Sequence, residues 1–296
     1  MPRRPSLIAL ALAAAFALTL PSAAQAAKPK RTYYVSLGDS YAAGYQATGP
    51  GQGRTTRKGF AYQLVGEAKR RGHRFELVNF GCGDETSSSI LTRRTACAEL
   101  GPGGEDYAGR TQAAAAVRFL RRNRGKVGLI TVSIGGNDVT ACAQAPDPNA
   151  CVGPALEGVK ANGKTLLGRL RKAAGRKTRI VGITYPDVIL GSWVSGVQAD
   201  RDLAALSVAA FKSLLNPALK ELYRSVGGRF VDVTAATGAY LPLEQTTTLA
   251  PYGEIPVAVA MVCRLTYYCE FRDIHPRTNG YALIAELVAK TLPRKP

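Results

Sequence analysis

The sequence predicts an α/β fold, a three-layer α/β/α sandwich around a five-stranded, mainly parallel sheet. Three observations carry that prediction. Apolar strand-like stretches alternate five times with segments of helical periodicity. Several of those strands end in a turn rich in glycine or polar residues. The 296 residues are 46% apolar, enough for one sizeable core, and they show neither an internal repeat nor an interdomain linker.

Taken in order, Tyr33–Leu37 reads as a buried strand that breaks at Gly38 and delivers Ser40 onto a turn. Gly49-Pro50-Gly51-Gln52-Gly53 reads as a loop too rich in glycine for regular structure, and it lacks the lysine of a phosphate cradle. A helix follows over 60–71, with Leu64, Val65 and Ala68 on one side and Gly72 at its end. Strand two is expected at 75–80, ending in Gly81-Cys82-Gly83-Asp84. Ala113, Ala116, Val117 and Leu120 give residues 107–122 helical spacing. Strand three, 127–134, ends in Gly135-Gly136-Asn137-Asp138. A proline-rich loop between Cys142 and Cys151 precedes a helix over 155–174, and strand four at 179–184 stops at Tyr185-Pro186. Residues 198–226 read as a long helix or a broken pair, with a kink expected at Pro217, where an amide donor is lost. Strand five spans 230–233, residues 235–272 show little periodicity and read as a long loop region, and a last helix covers 277–291.

The N-terminus has the form of a secretion signal. Arg3 and Arg4 precede an apolar run from Leu7 to Leu20, and Ala24-Gln25-Ala26 offers small residues for cleavage. The expected organisation is therefore a signal peptide over 1–26 and a single catalytic domain over 27–296, secreted to the extracellular space. Removing Arg3 and Arg4 takes the formal net charge from +18 to +16. Such an excess favours weak association with anionic envelope or lipid surfaces. No zinc-finger spacing or aromatic-interleaved basic stripe supports nucleic-acid binding, so none is expected. Six cysteines in a secreted chain suggest three disulfides out of 15 formal pairings, and the local couples Cys82/Cys97, Cys142/Cys151 and Cys263/Cys269 are the expected ones. No C-x-x-C is present, and neither a metal nor a cofactor is expected.

In a parallel sheet the turns after the strands lie on one edge, so residues distant in sequence meet there. Ser40 is a poor nucleophile without a base to take its proton. The chain after residue 26 has two histidines. His73 sits in the charged turn Arg71-Gly72-His73-Arg74 and is expected at the surface. That leaves His275 as the general base, a role suited to a side chain titrating near neutrality.

Four blocks, Gly38-Asp39-Ser40, Asn79-Phe80-Gly81, Gly135-Gly136-Asn137-Asp138 and His275, fall in order at element boundaries. In this the chain resembles the SGNH hydrolase superfamily, the GDSL esterases and lipases, over nearly its whole length after the signal. The three cysteine couples further resemble its secreted actinobacterial branch. The resemblance implies a flavodoxin-like sheet and a carboxylic ester hydrolase working through an acyl-enzyme. It implies Ser40 as nucleophile, His275 as base, and an oxyanion hole made of the Ser40 and Gly81 backbone amides with the Asn137 side chain. A glycine at 81 is expected to leave room for substrate. Asp39 and Asp138 are expected to hold their turns, since a carboxylate beside the nucleophile opposes the oxyanion. Each expected disulfide lies near a catalytic block and would brace it.

One departure from the family pattern concerns the acid. It usually lies three residues before the histidine, where this chain has Arg272; Asp273 lies two before. Either Asp273 orients the His275 ring from an extended segment, or a backbone carbonyl such as that of Arg272 does so. The expected function is a secreted serine esterase or lipase, monomeric, acting on a small-molecule or lipid ester. The alternatives are a carbohydrate deacetylase or phospholipase on the same site, or a basic envelope-binding protein with a vestigial one. Trp193, Tyr240, Leu241, Leu243, Leu249, Tyr252, Ile255 and Val257 either wall an acyl pocket or are ordinary loop packing.

Overall fold

The computed structural model describes Met1, residues 32–107 and residues 109–295. Apart from Met1, the expected signal segment lies outside the described residues. The first strand, β1 (Thr32–Gly38), is apolar and almost wholly buried, as a central parallel strand must be. It delivers a one-turn helix, α1 (Ser40–Ala43). A hairpin follows, β2 (Tyr45–Gly49) and β3 (Gln52–Thr55), then α2 (Phe60–Arg70) and β4 (Phe75–Asn79). After the short α3 (Ser89–Thr92) come α4 (Gln112–Arg122), β5 (Val127–Ser133) and α5 (Gly136–Thr140). The long α6 (Pro148–Ala174) leads into β6 (Arg179–Ile183) and a 3₁₀ stretch, Val188–Ser195. Then follow α7 (Gln198–Ala210), a π-turn at Phe211–Leu215, α8 (Asn216–Ser225), β7 (Arg229–Val231) and α9 (Val233–Ala236). The remaining elements are a second hairpin, β8 (Thr246–Leu249) with β9 (Gly253–Pro256), then α10 (Val257–Leu265), α11 (Tyr268–Phe271) and α12 (Thr278–Lys290).

Five strands form one parallel sheet in the order β4-β1-β5-β6-β7. Counted along the chain this is 2-1-3-4-5, the flavodoxin-like doubly wound order. The order reverses between β1 and β5, so the crevice at their carboxyl ends is where such sheets place their chemistry. A main core of buried apolar side chains clothes the sheet: Tyr34, Leu37, Leu129 and Ile130 from strands meet Phe60, Leu64, Leu166 and Tyr281 from helices. A second apolar cluster gathers Leu190, Ala204, Ile255, Val259 and Cys263.

Several expectations need correction. Gly49–Gly53 is not a plain loop: it includes the turn of the β2/β3 hairpin, with Gly51 in the left-handed region at φ 63°. Residues 235–272 are not a structureless loop; they contain α9's end, the β8/β9 hairpin, α10 and α11. The helix expected from residue 107 begins at Gln112. The helix expected from residue 155 begins at Pro148, capped by Asp147, so Cys151 stands on its first turn and Pro154 lies inside it. The break in the long helical segment is the π-turn, and Pro217 starts α8, where its missing amide is not needed. His73 is buried, its Nε2 2.7 Å from Pro293 O and its ring stacked on Phe75.

Candidate active site

Gly38 opens the site. Its φ is 136°, and a Cβ there would meet Ser133 O at 2.0 Å, so only glycine passes. Gln112, fully buried, clamps this glycine from both sides: Gly38 N–H donates to Gln112 Oε1 at 2.8 Å, and Gln112 Nε2 donates to Gly38 O at 2.9 Å. The chain then turns at Asp39, the N-cap of α1, whose Oδ1 accepts from the Tyr41 amide at 3.0 Å. Its other oxygen accepts from Tyr185 Oη at 2.5 Å. Burial pushes the Asp39 carboxyl up to about 7 despite those two donors. Ser40 follows as the first residue of α1, where a helix's amides have no partner one turn back.

The histidine arrives from the other end of the chain. α11 stops at Arg272, which adopts the left-handed conformation at φ 55° and turns the chain toward the serine. Tyr267 N–H donates to His275 O at 3.0 Å, Arg277 N–H to Leu265 O at 2.8 Å, and Tyr41 Oη to Ile274 O at 2.6 Å. The His275 ring also lies against Tyr45, with centroids 4.3 Å apart.

These constraints bring three of the expected residues into one hydrogen-bonded line. His275 Nε2 is 2.8 Å from Ser40 Oγ, and His275 Nδ1 is 2.8 Å from Asp273 Oδ1. The same Asp273 oxygen accepts from the His275 amide at 2.9 Å. Burial opposes ionisation of Asp273, but the His275 ring hydrogen bond, its charge and the amide outweigh it, and the carboxyl lies below its usual range. The carboxylate rather than the Arg272 carbonyl is on the ring, held by a local turn in which Asp273 Oδ1 also takes the His275 amide rather than by the extended segment expected from sequence. The Arg272 guanidinium instead lies over the Tyr268 ring and 3.6 Å from Asp200.

Gly81 and Asn137 come from the ends of the two strands that flank β1. A Cβ on Gly81 would lie 2.5 Å from Ala43 N and 2.6 Å from Ala42 C. Its glycine is therefore required by close packing against α1, a stronger reason than the substrate clearance expected from sequence. The Gly81 N–H donates to Asn79 Oδ1 at 2.9 Å, and Asn79 Nδ2 donates to Ala42 O at 2.8 Å. Asn137 Nδ2 donates to Glu85 O at 2.9 Å, which aims the amide while leaving its second hydrogen for another acceptor. Asp138 accepts from Ser87 N at 2.8 Å and Ser87 Oγ at 2.6 Å, a turn-holding contact.

The cysteines pair as Cys82–Cys97, Cys142–Cys151 and Cys263–Cys269. The first closes the loop that presents Glu85 and Ser87 to Asn137 and Asp138; the third ties α10 to α11, just before the histidine. The contacts of Gln112 with Gly38, Asn79 with Ala42 and Tyr185 with Asp39 escaped the sequence reading because the partners lie 74, 37 and 146 residues apart in sequence. No local pattern encodes such pairings. Among the described residues no group of three or more His, Cys, Asp or Glu is placed to hold a metal ion.

Between the end of α5 and α7 lies an apolar groove of about 310 Å³ lined by Val139, Ile189, Leu203, Leu206, Phe211 and Leu214, among others. A smaller cavity bordered by Asn137 and Ile274 shares Thr140 and Phe211 with it. The residues considered from sequence for an apolar wall are elsewhere. Ile255 belongs to the second core cluster, and Trp193, Tyr240, Leu243, Leu249 and Tyr252 pack against it.

Residues 36–283 match the GDSL-like lipase/acylhydrolase family. No curated protein matches the sequence. Among solved structures, an extracellular lipase from Streptomyces rimosus is similar at 18% identity and a TM-score of 0.45, covering 88% of this chain and 99% of its own. A variant of the acetyl xylan esterase Axe2 from Geobacillus stearothermophilus is similar at 17% identity and a TM-score of 0.49, covering 88% and 93%. The carbohydrate acetylesterase Est24 from Sinorhizobium meliloti gives 11% identity and a TM-score of 0.44, covering 88% and 97%.

Proposed function

The chain belongs to the GDSL-like lipase/acylhydrolase family, and on that premise we propose that it is a secreted serine esterase of the lipase type, cleaving carboxylic esters with apolar acyl chains through an acyl-enzyme on Ser40. The observation that carries this reading is the line Asp273 Oδ1–His275 Nδ1, His275 Nε2–Ser40 Oγ, each contact 2.8 Å long. Asp273, held ionised, favours the tautomer with the proton on Nδ1, leaving Nε2 to accept the Ser40 proton.

The chemistry then follows from geometry. Ser40 Oγ attacks the ester carbonyl carbon while His275 Nε2 takes its proton. The carbonyl electrons move onto oxygen, which the Ser40 N–H, the Gly81 N–H and the free hydrogen of Asn137 Nδ2 stabilise. Because the Gly81 N–H rests on Asn79 Oδ1, substrate oxygen shares or displaces that acceptor. Collapse expels the alcohol, which receives the proton from His275. Water then attacks the acyl-enzyme, with His275 again as base, and the acid departs.

The apolar groove supports acyl chains over acetyl groups, since its lining offers apolar contact and few hydrogen-bonding groups. Three disulfides in a chain with the form of an N-terminal export signal support secretion. The test is hydrolysis of p-nitrophenyl esters from acetate to palmitate by wild type and Ser40→Ala. Wild type is expected to prefer the longer chains, with Ser40→Ala lower by roughly 10⁴–10⁶-fold in kcat. Hydrolysis independent of Ser40 on every ester overturns the reading. A preference for acetate overturns the acyl-chain assignment and favours a deacetylase.

A further inference from the structure

The edge of the sheet opposite Ser40 carries a feature that ester hydrolysis does not use. The amino ends of β1, β4, β5, β6 and β7 border a depression of about 360 Å³ with predominantly polar walls. Six cationic side chains line it: Arg74, Arg176, Lys177, Arg179, Arg229 and Lys295, with no carboxylate among the described lining residues. Arg179 is the half-buried one, and burial first, then the charge of Arg229, pulls its guanidinium below the usual range. Like charges crowded together without a counter-charge oppose one another, and the free energy of that repulsion is relieved by an anion. Arg229 Nη1 donates to Thr291 O at 2.9 Å, which leaves the rest of its guanidinium fork for a ligand. None of the six forms an ion pair among the described residues, although seven such pairs occur elsewhere.

We propose that this depression binds a linear polymer of closely spaced phosphate groups, holding the protein on it by the face opposite the catalytic edge. Guanidinium forks match phosphate oxygens two at a time, and a depression admits a chain that projects into it. A lipid surface fits less well. The exposed large apolar residues of the described chain, Val197, Leu206, Leu214 and Leu241 beyond Met1, are all absent from this lining, so no apolar anchor accompanies the charge. Single-stranded nucleic acid also fits less well. The aromatic rings of the depression, His73 and Phe75, stack on each other at 5.5 Å rather than presenting a free face to a base. Because the strands are parallel, a bound polymer at their amino ends leaves the Ser40 edge open to substrate.

The probe is long-chain inorganic polyphosphate, titrated against the full secreted chain at several salt concentrations. Arg176→Glu/Lys177→Glu is compared with Arg121→Glu/Arg122→Glu, the same charge reversal in the last turn of α4. The expected result is wild-type binding that weakens with salt. The depression variant should lose about tenfold or more and the α4 variant less than about threefold, with ester hydrolysis unchanged in both. Equal losses in the two variants overturn the site, since net charge alone then explains binding. No binding at low salt also overturns it. Tighter binding at equal phosphate to anionic phosphatidylglycerol vesicles or to single-stranded DNA overturns the assignment of the polymer.

Discussion

Ser40 and His275 reach the same point from two differently built regions. The serine turn grows from β1, a strand with neighbours on both sides, and every residue of α1 is buried. Gln112 holds both backbone groups of Gly38, and Asp39 has both oxygens engaged. The histidine segment follows α11, which has no buried residue, and hangs between it and α12. Its fixings are a few backbone hydrogen bonds, the Tyr41 hydroxyl, the Gln46 amide on Pro276 O, the Tyr45 ring against His275 and one cross-link, Cys263–Cys269. The proposed nucleophile is positioned by core packing and the proposed base by a short list of specific bonds. Damage short of unfolding should therefore disable the base first.

Asp273→Asn is the sharpest way to sharpen that contrast. It keeps the shape of the loop but replaces the ionised acceptor with a neutral amide, whose NH2 can face Nδ1 and favour the wrong tautomer. A fall of about 10⁴-fold in kcat is expected, with melting temperature little changed, as for a triad that keeps its geometry and loses its tautomer. Near-full turnover would mean that the loop backbone alone orients the ring, and the proposed triad would reduce to a dyad.

A smaller effect is expected from Cys263→Ser/Cys269→Ser. The loop closed is only six residues in sequence separation, so the global cost is roughly 2 kcal/mol in the chain-entropy picture. Activity is expected to fade at a lower denaturant concentration than the far-ultraviolet circular dichroism signal. If the two midpoints coincide, the histidine region is as firmly held as the serine region and the comparison breaks.

The same contrast decides what was legible in the sequence. Leu64, Val65 and Ala68, or Leu120 with its alanines, sit on faces of helices that meet the main core, so their spacing announces them. Val257–Leu265 is apolar nearly throughout and buried on most sides, which erases the helical period. The β2/β3 hairpin was hidden because glycines at 49, 51 and 53 suppress strand propensity; of these Gly51 serves the turn with its positive φ, and Gly53 leaves room for the Tyr45 ring. The placement of Ser40, Gly81, Asn137 and His275 at the carboxyl edge of the sheet was readable because each stands beside a break in an apolar run or before a helix. Asp39's partner was not, because Tyr185 comes from the turn after β6, on the far side of β5 in the sheet. His73 misled because a charged turn ordinarily faces solvent, whereas this one is covered by the C-terminal segment at Pro293.

The smallest effect on activity, and the most direct reading of burial, concerns two aspartates, one at the serine turn and one outside both regions. Asp39 sits under the serine turn; Asp187 opens the 3₁₀ stretch that feeds the second core cluster, and its Oδ2 accepts from Ser207 Oγ at 2.9 Å. Burial pushes both up to about 7. An unfolded aspartate titrates near 3.9. Between those values the folded state binds more protons than the unfolded one, so stability falls as pH rises from about 4 to about 7 and is flat beyond. Each group therefore costs at most roughly 4 kcal/mol at pH 8 relative to its protonated form. Asp39→Asn keeps an acceptor for the Tyr41 amide and a polar partner for Tyr185, and it cannot ionise. Its stability relative to wild type, from denaturant unfolding, is expected to rise between pH 5 and pH 8, with kcat within about threefold given the intact turn. Asp187→Asn should give the same slope without touching the serine turn. Parallel stability curves for wild type and Asp39→Asn would show that the Tyr185 and Tyr41 donors fully offset burial. The serine turn would then hold an ionised carboxylate at no net cost.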